Sequence, residues 1–190
     1  MLNTKAEIAA KLHEWEEFLN KLRLPYWDEL PTLELYMDQV IIVLNDYLGY
    51  YASESGDEKL ITPAMVNNYV KQKLIPAPVK KKYGRVHLAL LMMICTLKQT
   101  LCMAAVGSML PKGDEESISR SYDHFIDVQK SFGKYFAREV KAAAEPMLSH
   151  AGGAGEELEV TDFVISSAVA ASYAKLLTEK VIAYINGIFM

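Results

Sequence analysis

Apolar positions recur along the chain at intervals of three and four, and each such run predicts an amphipathic helix. The first run is Ile8, Leu12, Trp15, Leu19 and Leu22, entered through a capping box of Thr4 and Glu7. A connector over residues 25–31 carries Tyr26 and Trp27, aromatic side chains expected to plug against a helix surface. Leu33, Tyr36, Val40, Leu44 and Tyr47 define a second helix that ends before Gly49 or in the loop 52–56. Thr62 followed by Pro63 starts a third, with the hydroxyl as N-cap and the proline at the first helical position. Met65, Val66, Tyr69 and Val70 fall at spacings for burial, while Asn67, Asn68 and Lys71 face outward. This helix stops near Gln72, before Leu74-Ile75-Pro76-Ala77-Pro78, since a proline disfavours helical geometry in its predecessor.

Gly84 and Arg85 open the most apolar helix, with Val86, Leu88, Leu91, Met92, Ile94, Cys95 and Leu97. A break near residues 100–102 precedes a short amphipathic piece, Met103, Val106, Met109 and Leu110. After a turn at residues 112–114, Glu115 and Glu116 form the acidic first turn of a further helix, with Ile118, Tyr122, Phe125, Phe132, Phe136 and Val140 as its buried side. The glycine-rich stretch 147–155 reads as a link, and Asp162 as the cap of a final helix running from Phe163 to about Ile188. The expected architecture is all-α. It comprises an N-terminal amphipathic helix over residues 1–23, a central module over 24–112, and a C-terminal helical hairpin over 113–190 for dimerisation.

Charge changes this picture most. From Lys59 to Gly113 there are nine basic residues and no acidic one, whereas residues 1–58 sum to minus 8 and residues 114–190 to minus 5. A cationic middle in an acidic chain of net charge −4 is what a polyanion-binding module needs. Composition is that of an ordinary globular protein: 51% apolar and 23% charged over 190 residues, enough for one large domain or two small ones. Cys95 and Cys102 lie too far apart on helix for a local bridge and read as reduced, packed thiols of a cytoplasmic protein. No leader peptide is expected from the acidic N-terminus. The apolar stretch 163–177 is interrupted by Ser166, Ser167, Ser172 and Lys175 and is shorter than the ~20 residues of a membrane span.

The order of Asn68-Tyr69, the turn Leu74-Ile75-Pro76-Ala77-Pro78, and Lys81-Lys82-Tyr83-Gly84 resembles the DNA-binding core of the mercury-resistance-regulator (MerR) family of bacterial transcription factors. There a recognition helix is followed by a proline-rich turn, a basic wing and a leucine-rich helix and a half. Leu88, Leu91, Ile94, Leu97, Leu101, Val106 and Leu110 follow that apolar register. The resemblance implies a winged helix-turn-helix core, with the helix from Leu33 as its supporting helix. The wing is vestigial, because only four residues separate Pro78 from Tyr83, and asparagine stands in the place of the recognition-helix arginine. The fuller run, including residues 24–31 and Tyr36-Met37-Asp38-Gln39-Val40, is similar to a bacterial family known as domain of unknown function 1836.

Little else in the chain suggests chemistry. The four histidines are scattered, no zinc-protease motif occurs, and the glycine cluster 152–155 lacks the strand and lysine-serine pair of a phosphate loop. His124 with Asp123 and Asp127 shares a helical face but reads as a surface charge cluster. An enzyme, a metal site and a cofactor are therefore not expected. The functional expectation is a transcriptional regulator that binds double-stranded DNA as a homodimer. Asn67 and Asn68 would read adenine edges. Lys71, Lys80, Lys81, Lys82 and Arg85 would neutralise phosphates beside the Thr62 cap, and Tyr69 would either bond a phosphate or pack inward. The alternative is a protein-interaction module of the same shape. Tyr122, Phe125, Phe132, Tyr135, Phe136, Tyr173 and Tyr184 are candidates to line a pocket for a small-molecule effector.

Overall fold

A computed structural model of the chain describes residues 14, 17–18, 23–51, 59–149 and 156–187. The chain divides into two compact units, Leu24–Asp127 and a second made of Met1–Arg23 with Val128–Met190. In order, the elements are β1 (Leu35–Tyr36), α1 (Met37–Leu48), α2 (Pro63–Lys71), β2 (Lys82–Tyr83), α3 (Arg85–Leu97), α4 (Met103–Met109), α5 (Glu115–Ser149) and α6 (Glu156–Ile185). Single 3-10 turns occur at Trp27–Glu29 and Gly49–Tyr51. The architecture is all-α apart from the two short strands.

In the first unit α3 is the central element. Nine consecutive residues, His87 to Cys95, are buried, as expected of a helix that is apolar all round. Val40, Leu44 and Leu48 of α1 pack against it, and Val66 and Tyr69 of α2 join the same core, as do Leu101, Val106 and Leu110. Three N-termini are secured in one way, by a side chain at the third helical position reaching back to a backbone N–H. Tyr26 N–H donates to Glu29 at 2.9 Å, Tyr36 N–H to Gln39 at 2.9 Å, and Gly84 N–H to His87 Nδ1 at 3.0 Å.

The helix expected to begin at Leu33 begins at Met37, and Leu33 and Tyr36 are 77% and 56% exposed. Leu35 and Tyr36 instead pair antiparallel with Tyr83 and Lys82. Helical spacing does not reveal a backbone partner nearly fifty positions away. Alternation along the strands then turns Tyr83 inward and leaves Tyr36 outward beside Lys82.

The connector is pinned from two sides. Trp27 is buried and its N–H donates to Asp123 Oδ1 at 2.7 Å, while the Tyr26 hydroxyl donates to Asp127 Oδ1 at 2.7 Å. The fully buried Tyr122 hydroxyl donates to Pro25 O at 2.8 Å and lies 3.0 Å from Met92 Sδ. Asp123 and Asp127 are thus acceptors for the connector, His124 is exposed, and no metal-holding cluster occurs among the described residues. These contacts move the module boundary from residue 112 to Asp127. Ile118, Tyr122 and Ile126 of α5 belong to the first unit's core.

In the second unit Glu14, Glu17 and Phe18 are helical; the expected Thr4–Glu7 cap and the stripe Ile8, Leu12, Trp15, Leu19 and Leu22 lie outside the described residues. Phe132 and Phe136, expected to be buried, are 60% and 43% exposed and stack on each other with centroids 6.3 Å apart. The final helix starts at Glu156, so Asp162 lies within it rather than capping it. The stretch read as a link is helical through Ser149, and residues 150–155 lie outside those described. Tyr173 and Tyr184 are 68% and 70% exposed, so the aromatic set does not line one enclosed pocket. Of the two thiols only Cys95 is packed, and burial pushes it up to about 11; Cys102 is exposed. No helix among the described residues is long and apolar enough to cross a membrane.

Candidate nucleic-acid interface

The surface is built from both ends of α2. At its start Thr62 has extended backbone and its hydroxyl accepts from Met65 N–H at 3.3 Å, with Pro63 following. Val66 is fully buried and Tyr69 is 4% exposed, which leaves Asn67, Asn68 and Lys71 on the solvent face. Three- and four-residue spacing puts those three on one patch. Tyr69 does not share that face. Its ring packs in the core, and burial, helped by Cys95, raises its hydroxyl to about 12. The packing role therefore displaces the phosphate-bonding one.

Beyond Lys71 the helix closes with two reverse hydrogen bonds, Lys73 N–H to Val70 O and Leu74 N–H to Tyr69 O, both 3.0 Å. This is a Schellman cap, and it places Lys73 at φ 58 where glycine is usual. Leu74 is seated against α4, where a Cβ on Gly107 would come within 2.8 Å of its Cδ2. The chain then makes a two-residue hairpin. Val79 N–H donates to Lys82 O at 3.1 Å and Lys82 N–H to Val79 O at 2.9 Å, with Lys80 at φ 50 and Lys81 at φ 64. Both central residues are left-handed, as a type I′ turn requires, yet they are lysines rather than asparagine and glycine. Among the described residues the three non-glycine residues at positive φ are all lysines of this segment. Each carries a cost of roughly 1–2 kcal/mol that its flanking structure holds in place.

The vestigial wing is therefore a tight turn at Val79–Lys82 whose outgoing strand pairs with β1. Lys80 and Lys81 are exposed at its tip, and Lys82 sits with its ammonium 5.6 Å from the Tyr36 ring centroid. Arg85 is turned away from this role. Its Nε donates to Leu30 O at 3.2 Å, its guanidinium lies 4.0 Å from the Asp28 carboxylate, and its side chain is 23% exposed, so it anchors the connector. Lys98 likewise donates to Leu60 O. The basic stretch is carboxylate-free only along the chain, since β1, flanked by Glu34 and Asp38, lies against β2. The exposed cations left are Lys59, Lys71, Lys73, Lys80, Lys81 and Lys112, with Lys82 half-exposed; of these, Lys71, Lys73, Lys80 and Lys81 lie on α2 and the segment that leads from it into the hairpin. Lys73 was not singled out by sequence; the signal was its place just after the last turn of the helix, where a left-handed residue is common.

Comparison with known families finds a match to domain of unknown function 1836 (DUF1836) over residues 25–135. The chain belongs to this family. No curated protein and no solved structure matches it. The DUF1836 match takes in the connector, α2, the hairpin and the first turns of α5, so the candidate surface and everything that holds it lie inside the family's span.

One titratable group of the DUF1836 domain supports the hairpin from below. His87 is buried, meets Tyr83 edge to face at 5.3 Å, and accepts from Gly84 N–H through Nδ1, which puts the proton of the neutral ring on Nε2. Nε2 is buried near the carbonyls of Pro76 and Ala77 without a hydrogen bond of good geometry. Burial lowers the imidazole below its ordinary value, partly offset by the backbone around Ala77, Gly84 and Pro76 and by Glu34. A second proton would set a donor against the Gly84 N–H. The folded state thus disfavours protonation, and this group's contribution is complete above about pH 6.5 and is lost as the pH falls below it. Thermal unfolding of wild type and His87→Gln between pH 8 and 5 should diverge, the variant losing part of the wild type's decline; parallel profiles would refute this account.

Proposed function

We propose that the first unit is a DNA-binding module of MerR-like helix-turn-helix type, with α1 as supporting helix and α2 as recognition helix, in a transcriptional regulator that acts as a homodimer. The observation that carries this reading is the exposed face of α2, which presents two amides and a lysine, together with the hairpin that follows it in the chain and carries two exposed lysines at its tip. Asn67 and Asn68 suit bidentate pairing with adenine in the major groove, and Lys71, Lys80, Lys81 and Lys82 suit phosphates.

With Arg85 withdrawn, four phosphate contacts give a slope of log affinity against log salt of roughly −3 to −4. Fluorescence anisotropy of duplex DNA at graded salt checks it. Lys80→Glu with Lys82→Glu should weaken all sequences alike. Asn67→Ala or Asn68→Ala should blur preference at a single base pair by about 1–3 kcal/mol. Absence of binding at low salt rejects the reading. It would favour instead a protein partner at the same place, for which Leu33, Tyr36 and Val79, 77%, 56% and 62% exposed, supply apolar surface around the hairpin.

A further inference from the structure

We infer that α6 is a self-complementary docking surface at which a second copy of this chain binds antiparallel. Between Val164 and Ile185 this helix exposes nine large apolar side chains by 45% or more, Tyr173 and Leu177 by 68% and 66%. Five of the nine, Ile165, Val169, Tyr173, Leu176 and Leu177, lie on one side of the helix, and this strip is what a single partner helix can cover. Exposed apolar surface on this scale is uncommon unless something covers it.

What covers it follows from charge. Asp162, Ile165, Val169, Tyr173, Leu176 and Lys180 succeed one another at spacings of three and four, and all six are exposed. At 3.6 residues per turn they fall in one stripe about 80° wide. The stripe is apolar in its middle, acidic at its N-terminal end and basic at its C-terminal end. Its order is close to a palindrome in charge and size. A copy turned end for end about the level of Ala171 brings Asp162 opposite Lys180, Ile165 opposite Leu176 and its neighbour Leu177, and Val169 opposite Tyr173, each pair occurring twice as a two-fold axis requires. A parallel copy would set Asp162 on Asp162 and Lys180 on Lys180. The other charges of this stretch stay out of the stripe: Lys175 and Glu179 lie 4.0 Å apart on a different face.

The surface serves the homodimer of the proposed regulator and in that sense rests on that reading, but its test reads mass and not DNA, so either can fail alone. In sedimentation equilibrium of the full chain, wild type should run at about twice the 21.3 kDa chain mass at micromolar concentration. Asp162→Lys or Lys180→Asp alone turns two attractive contacts repulsive and should raise the dimer dissociation constant on the order of tenfold or more. The double swap, Asp162→Lys with Lys180→Asp, should restore it. Both positions are exposed, and circular dichroism verifies that helix content is kept. As a milder pair, Asp162→Asn with Lys180→Gln should weaken association less than either reversal. A monomeric wild type overturns the proposal. So does a dimer indifferent to the single reversals, or one that the swap does not repair.

Discussion

A fragment of residues 24–127 should unfold in one cooperative transition, while a fragment of residues 24–112 should not fold. The shorter piece keeps every residue of the candidate surface but loses Ile118, Tyr122 and Ile126, which are 5%, 0% and 3% exposed. Burial of three such side chains is worth roughly 5–9 kcal/mol, a large part of the 5–15 kcal/mol that holds a domain together. The loss spreads further. Without Tyr122, Asp123 and Asp127 the connector forfeits the acceptors of Trp27 N–H and the Tyr26 hydroxyl, and Pro25 O its donor. Arg85 would then hold a segment no longer fixed at its other side. Far-ultraviolet circular dichroism and urea unfolding decide between the two fragments. A cooperative transition of equal midpoint in both would show that the first turns of α5 are dispensable. The family match over residues 25–135 agrees with the longer boundary.

The second large effect is expected at the hairpin, where fold and function pull in opposite directions. Lys80→Asn with Lys81→Gly installs the residues that a type I′ turn favours and relieves two left-handed lysines. The variant should be more stable by about 1–3 kcal/mol, on the order of 5–14 °C in melting temperature for a unit of this size. It should bind duplex DNA more weakly, with a salt slope shallower by about 2 because two phosphate contacts are gone. Stabilisation with undiminished DNA binding would move the polyanion site away from the hairpin. A drop in stability would mean that the turn's lysines are held by contacts stronger than the strain.

Much of the helical framework was legible because its determinants are local. The Thr62–Pro63 start, the stop before Pro76, the run of apolar residues in α3 and the break before α4 all depend on neighbours within a turn or two. The outward face of α2 was legible for the same reason, since Asn67, Asn68 and Lys71 were placed by helical spacing alone. Tyr69 was legible only as a choice between two roles, because an amphipathic ring at a half-buried position suits either; the proximity of Cys95 on α3 came with the fold.

Other features depend on residues far apart in the chain. Arg85 looked like one more phosphate ligand until the fold brought Asp28 and the Leu30 carbonyl to it. Asp123 and Asp127 looked like surface charge until Trp27 and Tyr26 met them. Leu35 and Tyr36 matched a helical stripe, yet Tyr83 and Lys82 claimed their backbone for a sheet.

By itself, then, the sequence determined where α2, α3 and α4 lie, that the chain is all-α, and that its positive charge is gathered between residues 59 and 113. Capping, proline geometry and apolar period act over a few residues and are written in the chain directly. Which cations stay exposed, which carboxylates approach them and where the first unit ends were decided only by tertiary structure. Hydrogen bonds and burial between residues 50 to 100 positions apart have no local signature, and each contact redirects a side chain whose type alone suits either use.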